Sequence, residues 1–325
     1  MTKVILRPVD PARDFAQIAA LFCLEQEGSD SQDQVSRDYE SEKDCIFCLS
    51  AAQDEAGQLL GFSWGQRSRE DAGRASIHVI VKPEYRGLGA GRLLLADLEE
   101  KARAAGVRKL RAVIHDNRPD CLSYAYHHGF FEVSHHIGLA LELGQFDAGA
   151  FEREIQQLEK GGFAFTSMEE LGNTREAQQK LYLLNNATAM ERQLSEGEHY
   201  WGSFEEFQRD VCQSDWYMPA GYLIAIRADS GDWAAMSAVT RFPCSDHAYN
   251  LHTGVDSRYH GKNLAAAMLA RAALFARGKL QVQKVVSEEN ALHLDAISVY
   301  RHLGYQVTRG TLAIEKTLEE AQIDP

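Results

Sequence analysis

The chain has 325 residues, of which 45% are hydrophobic and 25% charged, an ordinary composition for a folded protein of about two domains. Its formal net charge of −13 argues against nucleic acid or an anionic membrane as a partner, because so acidic a surface repels phosphate groups. The sequence contains no signal-type apolar segment and no apolar run long enough to cross a bilayer, which predicts a cytoplasmic protein without a membrane partner.

The first half of the chain alternates strand-like and helix-like segments, identified by their hydrophobic period and by bordering glycine and proline residues. Strands are predicted at residues 3–7, 45–51, 59–66, 76–81, 109–114 and 130–143. Helices are predicted at residues 14–24, 91–105 and 120–128.

The second half repeats this order after a predicted linker helix at residues 151–160. Strands are predicted at residues 163–167, 222–227, 233–240, 248–255, 284–287 and 305–316. Helices are predicted at residues 263–277 and 294–303.

The two halves are related as a duplication. The segment Val81–Gly87 aligns with Val255–Gly261 at an offset of 174 residues and shares its valine, tyrosine and glycine. Further along, Gly129 aligns with Gly304 at an offset of 175. A period this long fits two copies of one domain rather than a solenoid. We therefore predict domains at residues 1–148 and 163–325, joined by a linker helix at 149–162.

A glycine-rich turn, Arg86-Gly87-Leu88-Gly89-Ala90-Gly91, lies between a predicted strand and a predicted helix. Glycines let backbone N–H groups turn toward a ligand, and a helix N-terminus adds donors and a positive dipole end. Such a turn suits a pyrophosphate, although a tight turn without a ligand has the same residues. A Rossmann turn would follow the first strand of its domain, and a Walker loop would need Gly-Lys-Ser or Gly-Lys-Thr.

The pattern Val-x-Pro-x-x-Arg-Gly-x-Gly-x-Gly, followed by a helix, a strand, Asn117 and the pair Gly129-Phe130, resembles the GNAT-type N-acetyltransferases. The resemblance covers most of residues 1–146 and returns in weaker form over 163–318. It implies an α+β fold of two tandem GNAT-like domains. Each would be a mixed, largely antiparallel twisted sheet flanked by helices.

The resemblance also implies acetyl-CoA as a co-substrate, with the pantetheine arm on the strand before the turn and the pyrophosphate on the turn. The residues implied in the first copy are Val79, Ile80, Val81, Arg86, Gly87, Leu88, Gly89, Ala90, Gly91, Arg92 and Asn117. Those implied in the second copy are Val255, His260, Gly261, Asn263 and Ala265. The second turn carries His, Asn and Ala where the first has Arg86, Gly89 and Gly91, but asparagine accepts a left-handed backbone better than most residues. Asn117 also fits a turn or helix-capping residue before Pro119.

Members of this family place a tyrosine four residues before the final glycine, where its hydroxyl can protonate the leaving thiolate. The first copy has Ala125 at that position and Tyr124 beside it. The second copy has Tyr300 there, and Glu288 stands where some members carry a general base. Core packing for Tyr300 and a solvated loop for Glu288 are the alternatives.

The resemblance and these residues predict an acetyltransferase that moves the acetyl group of acetyl-CoA to a primary amine of a small molecule or peptide by direct attack in a ternary complex. The second copy is favoured for catalysis because it retains Glu288 and Tyr300 together. The alternative is an acyl-CoA-binding regulator or scaffold without turnover. The expected partners are acetyl-CoA and a small amine, with a monomer or homodimer as the assembly.

No metal is expected. Six scattered cysteines indicate reduced thiols, and the Cys45 and Cys48 pair lacks a second pair or a histidine cluster. The acceptor pocket is expected in the segments 23–36 and 189–202, whose acidic residues would suit a cationic amine. Those acidic residues are Glu25, Glu27, Asp30, Glu191, Glu196 and Glu198.

Overall fold

A computed structural model of the chain describes residues 3–25, 32–69, 71–190, 201–242 and 245–318. The strands, in chain order, are β1 (Ile5–Pro8), β2 (Ile46–Gln53), β3 (Leu59–Arg67), β4 (Arg74–Val81), β5 (Lys109–His115), β6 (Phe131–Glu142), β7 (Phe163–Ser167), β8 (Tyr222–Arg227), β9 (Trp233–Thr240), β10 (Ala248–Val255), β11 (Lys284–Asn290) and β12 (Gln306–Thr317). The helices are α1 (Pro11–Glu25), α2 (Gln32–Glu42), α3 (Ala90–Ala104), α4 (Pro119–His127), α5 (Ala148–Lys160), α6 (Arg175–Met190), α7 (Phe204–Phe207), α8 (Leu264–Phe275) and α9 (Leu294–His302). None of the helices in these ranges is both long and apolar enough to cross a membrane.

The chain forms two compact units. Unit 1 comprises residues 1–133 and 312–325, and unit 2 comprises residues 134–311. The predicted boundary at 148–162 differs from this division, because the end of β12 belongs to unit 1 and most of β6 belongs to unit 2. The predicted linker helix forms as α5 and is part of unit 2.

The sheet of unit 1 has the strand order β1-β2-β3-β4-β5-β12. Its first four strands pair antiparallel, whereas β4 and β5 are parallel. The parallel pairing covers only Arg74–Ser76 with Lys109–Arg111. The remainder of β4, from Ile77 to Val81, therefore extends beyond its pairing with β5 and leaves backbone groups on that side for another partner.

Helices pack on both faces of this sheet. On one face, Leu95 and Leu98 of α3 lie in a buried cluster with Ile77 of β4. On the other face, Phe15 and Ile18 of α1 lie in a cluster with residues of β3 and β4. The apolar residues of α3 recur at helical spacing, so one stripe of the helix faces the sheet and the opposite stripe faces solvent.

The last part of β12 completes the core of unit 1. Leu312, Ile314 and Leu318 are buried in the same cluster as Leu95 and Leu98 of α3. The Lys316 ammonium lies 2.6 Å from the Glu99 carboxylate of the same helix. A strand predicted to close the second domain therefore contributes to the core of the first.

Replacing Ile314 by alanine is expected to destabilise unit 1 by about 2–5 kcal/mol, because a buried isoleucine leaves a cavity when truncated. Ile314 is 1% exposed, whereas Val307, on the earlier part of β12, is 50% exposed and provides a matched control. Urea unfolding measures the stability, and hydrogen exchange of the β4 and β5 amides localises the loss. Equal effects of Ile314→Ala and Val307→Ala would contradict this role of β12.

The sheet of unit 2 has the strand order β6-β11-β10-β9-β8-β7. Again one parallel pair is short: Ala248 and Tyr249 of β10 pair with Val285 and Val286 of β11. A bulge then interrupts β10 between Asn250 and His252. Each unit thus has a mixed, mainly antiparallel sheet with helices, which confirms the predicted α+β class.

Candidate active site

The glycine-rich turn of unit 1 connects the end of β4 to the start of α3. A three-residue 3-10 turn, Pro83–Tyr85, leads into it. Gly87 and Gly89 have φ angles of +78° and +90°, and α3 begins directly afterwards at Ala90. Only glycine adopts such angles readily, so the turn conformation explains both residues. In the described part of the chain, no side chain caps the N-terminus of α3, which leaves its first N–H groups for an anion.

Arg86 holds this turn against its neighbours. Its Nε donates a hydrogen bond to the Val81 carbonyl oxygen at 3.2 Å, and its Nη1 lies 3.1 Å from Oδ2 of Asp120 in α4. Arg118 also pairs with Asp120 and is the main cause that lowers the pKa of this carboxyl. Arg86 therefore fixes the end of β4, the turn and the start of α4 together, and exposed Arg92 is the second cation of the turn.

The corresponding turn of unit 2 has the same backbone course. Gly261 has a φ of +75°, and Asn263 has a φ of +58°, the left-handed conformation expected for it. The His260 ring takes the place of the Arg86 guanidinium, with its Nε2 2.9 Å from the Val255 carbonyl oxygen. The loop geometry is therefore retained although five of its six residues differ.

The two turns differ in charge. Residues 82–92 contain three cations and one carboxylate, a formal charge of +2. Residues 256–266 contain two cations and one carboxylate, a formal charge of +1. In unit 2 the Arg258 guanidinium is paired with Asp256 in the same turn, at 2.9 Å. The turn of unit 1 thus offers more positive charge to an anionic ligand.

Tyr124 of α4 is directed toward the turn of unit 1. A Cβ atom built on Gly91 would lie 3.4 Å from the Tyr124 hydroxyl and 3.7 Å from the Val81 side chain. Burial raises the pKa of Tyr124 to about 12, with Glu99 adding to the rise and Arg92 opposing it. The phenol is therefore protonated at neutral pH and available as a proton donor. Ala125, at the position of the family tyrosine, is buried in the core of unit 1.

Tyr300 has a different environment in unit 2. Its side chain is 4% exposed, and its hydroxyl lies 3.0 Å from the Ser287 Oγ and 3.4 Å from the Asn250 Oδ1. Asn250 continues this polar cluster by donating from its Nδ2 to the Ser237 Oγ at 2.8 Å. The Tyr300 hydroxyl is thus part of a buried hydrogen-bond network, next to the residues at which the pairing of β10 with β11 ends.

Glu288 does not share the face of β11 that contacts Tyr300. Ser287, whose side chain contacts Tyr300, is buried, whereas Glu288 is exposed. Successive side chains of a strand point to opposite faces, which separates the two predicted catalytic groups. The neighbouring Glu289 is buried instead, with its Oε1 2.7 Å from the Nδ1 of His293.

The remaining predicted residues lie on the surface or along the open segment of β4, that is, Ile77–Val81 beyond the pairing with β5. Val79, Ile80 and Val81 lie in the segment that extends beyond the pairing with β5. Asn117 is exposed in the turn between β5 and α4. His78, also in this part of β4, was absent from the predicted site, although the repeat offset of 174 aligns it with His252.

The predicted acceptor segments are described only in part. Residues 26–31 and 191–200, which include Glu27, Asp30, Glu191, Glu196 and Glu198, lie outside the described residues. Residues 32–36, the end of the first predicted acceptor segment, form the start of α2. Within the described ranges, no three His, Cys, Asp or Glu side chains are grouped to hold a metal ion.

Comparison with known protein families finds two matching regions, one in each half of the chain. The family model described as "Acetyltransferase (GNAT) family" matches residues 13–130 and again residues 188–305. These two matches include both glycine-containing turns.

Known relatives are similar to the chain at several levels. A mycothiol acetyltransferase of Propionibacterium freudenreichii is 33% identical over 94 residues, which are 28% of this chain and 30% of that protein. A GCN5-related N-acetyltransferase from Sphaerobacter thermophilus has a TM-score of 0.68 and 19% identity, over 97% of this chain and 95% of its own. A tandem GNAT protein from the clavulanic acid biosynthesis pathway has a TM-score of 0.67 and 16% identity, over 99% of this chain and 100% of its own. The two structures show a shared fold over nearly the whole chain.

Proposed function

The chain belongs to the GNAT family of acetyltransferases, as a tandem member with two GNAT domains, and from this premise we propose that it transfers the acetyl group of acetyl-CoA to a primary amine in unit 1. The observation that carries the proposal is the convergence of three parts of unit 1. The open segment of β4, the glycine turn before α3 and the Tyr124 hydroxyl all meet at Val81 and Gly91.

Each part has a separate task in acetyl transfer. The N–H groups of the turn and of the first turn of α3 would bind the pyrophosphate, with Arg92 nearby. The backbone of Ile77–Val81, which extends beyond the pairing of β4 with β5, would hold the pantetheine arm as an added strand. An N–H group of the same segment would polarise the thioester oxygen as negative charge develops on it.

The amine would attack the thioester directly while both substrates are bound. Its nitrogen forms the new C–N bond and releases one proton, the C–S bond breaks, and Tyr124 protonates the departing sulfur and regains its own proton from solvent. Partial burial raises the pKa of Tyr124 to about 12, so the phenol carries its proton at neutral pH. Asn117 would contact the pantetheine arm from the turn after β5, as the family resemblance suggests.

One observation favours unit 1 over unit 2 for the chemistry. The hydroxyl of Tyr300 is engaged in a buried polar cluster, whereas Tyr124 is directed to the turn. Unit 2 retains the backbone of its turn, with Val255, His260, Gly261, Asn263 and Ala265 in register, and is proposed to bind CoA without turnover.

The test is a turnover assay with acetyl-CoA and a panel of primary amines, combined with a titration of CoA by calorimetry. We expect amine-dependent release of free CoA and two bound CoA molecules per chain. Binding of CoA without any amine-dependent turnover would favour a regulatory or scaffold role instead. One bound CoA would contradict the proposed binding by unit 2.

A further inference from the structure

A histidine occupies the same position in both repeats. His78 precedes Val81 by three residues, as His252 precedes Val255, with the offset of 174 that aligns the two turns. The aligned segments 78–91 and 252–265 share only four residues, and these histidines are one of the four pairs. Of the other pairs, Gly87 and Gly261 are explained by their positive φ angles. The shared histidine has no such backbone explanation.

The two histidines have different contacts. The Nε2 of His252 lies 2.9 Å from the Thr188 Oγ1, a hydroxyl of α6. The ring of His78 instead meets the ring of Phe22 in α1 edge to face, with centroids 5.2 Å apart. Among the described residues, His78 has no hydrogen-bond partner. The imidazole of unit 1 is thus partly buried and lacks the protein partner that its counterpart in unit 2 has.

The position of His78 relates it to the proposed reaction. It lies two residues past Ser76, the last β4 residue paired with β5. Ile77 packs with α3, whereas His78 contacts α1 on the opposite face of the strand. The Tyr124 hydroxyl lies near Val81, which alternation places on the Ile77 face. His78 and Tyr124 therefore lie on opposite faces of the same open strand segment.

We propose that His78 is the proton acceptor for the attacking amine in unit 1, an inference that rests on the proposed acetyl transfer. The amine nitrogen approaches from the α1 face, and its lone pair forms the C–N bond while the C–S bond breaks. The proton lost by nitrogen passes to the His78 imidazole, and Tyr124 gives its proton to the sulfur on the other face. Solvent then removes the proton from His78 and restores that of Tyr124.

The environment of His78 suits this task. Burial lowers the pKa of His78 below its usual value of 6.5, so the ring is neutral at neutral pH and can accept a proton. Phe22 from α1 and the cross-strand neighbour Trp64 from β3, which both face it, carry no charge. Protonation as the pH falls would remove the acceptor, so activity is expected to decrease on the acid side.

The test compares His78→Ala and His78→Gln with the matched control His252→Ala in the full-length chain. With a primary amine accepted by the wild type, both His78 variants are expected to lower kcat/KM about 100-fold, in the range usual for a lost general base. The acetyl-CoA Kd should stay within about twofold, which also reports that the variants fold. Free imidazole should restore part of the activity of His78→Ala, and the acid limb of the wild-type pH profile should disappear.

Each outcome decides the inference. Wild-type activity in both His78 variants, or a loss with an unchanged pH profile and no rescue by imidazole, would overturn the role of His78 alone. Loss of the acid limb in His252→Ala rather than in the His78 variants would also overturn it. Absence of turnover in the wild type, with acetyl-CoA still bound, would refute the proposed function together with this inference.

Discussion

Tyr124→Phe is expected to lower kcat by about 10²–10⁴-fold, the range usual for removal of a general acid. The substitution removes one oxygen and leaves the ring, which stacks on His128 with centroids 4.1 Å apart. Packing of α4 and the affinity for acetyl-CoA should therefore change little. Steady-state kinetics and a binding titration separate the two effects, because a group that acts only in the transition state changes kcat rather than Kd.

Tyr300→Phe is the matched control in unit 2. Its hydroxyl belongs to the buried cluster with Ser287 and Asn250, so its loss is expected to cost stability, about 1–3 kcal/mol, with kcat retained. The opposite result, a large loss of kcat in Tyr300→Phe and none in Tyr124→Phe, would assign the chemistry to unit 2.

The choice between Tyr124 and Tyr300 as the proton donor could not be made from the sequence. Counting back from the final glycine gives Ala125 in the first copy, but the structure buries Ala125 and directs Tyr124 to the turn. The rotation of a helix about its axis depends on packing with the rest of the domain, and a shift of one residue turns a side chain by about 100°. The two glycine-containing turns could be predicted from the sequence, because glycine and asparagine adopt a left-handed backbone more readily than other residues.

The strands were also predictable only in part: their bounds follow from the sequence, but their pairing does not. The predicted strands 163–167, 222–227, 233–240 and 248–255 form at those bounds, because alternating apolar residues end at turn-forming residues. The pairing of β6 with β11 and of β12 with β5 was not predicted. β6 and β12 both have alternating apolar residues that fit beside another strand of a sheet. This alternation does not specify which strand becomes the neighbour. The helix α2 was also missed, since its sequence is strongly polar and it buries only Val35.

Gly89→Asp is expected to weaken CoA binding by unit 1 about 100-fold. The new carboxylate would stand beside the proposed pyrophosphate site, where repulsion of about 3 kcal/mol is reasonable for charges a few ångströms apart near a surface. The left-handed φ of +90° adds backbone strain for any residue with a Cβ. Open space surrounds the Cβ position, so the fold of unit 1 should tolerate the side chain. A calorimetric titration should show one of two sites lost, together with turnover.

Gly89→Asn separates the charge from the strain. Asparagine occupies the same position in unit 2 as Asn263, with a φ of +58°, so the backbone of the turn is compatible with it. Its effect on the Kd should stay below about tenfold, since only a strain of about 1 kcal/mol remains. Asn263→Asp in unit 2 should weaken the other CoA site and leave turnover unchanged. If Gly89→Asp left both Kd and turnover intact while Asn263→Asp abolished turnover, the glycine turn of unit 1 would not hold the reacting acetyl-CoA, and the catalytic cofactor would belong to unit 2.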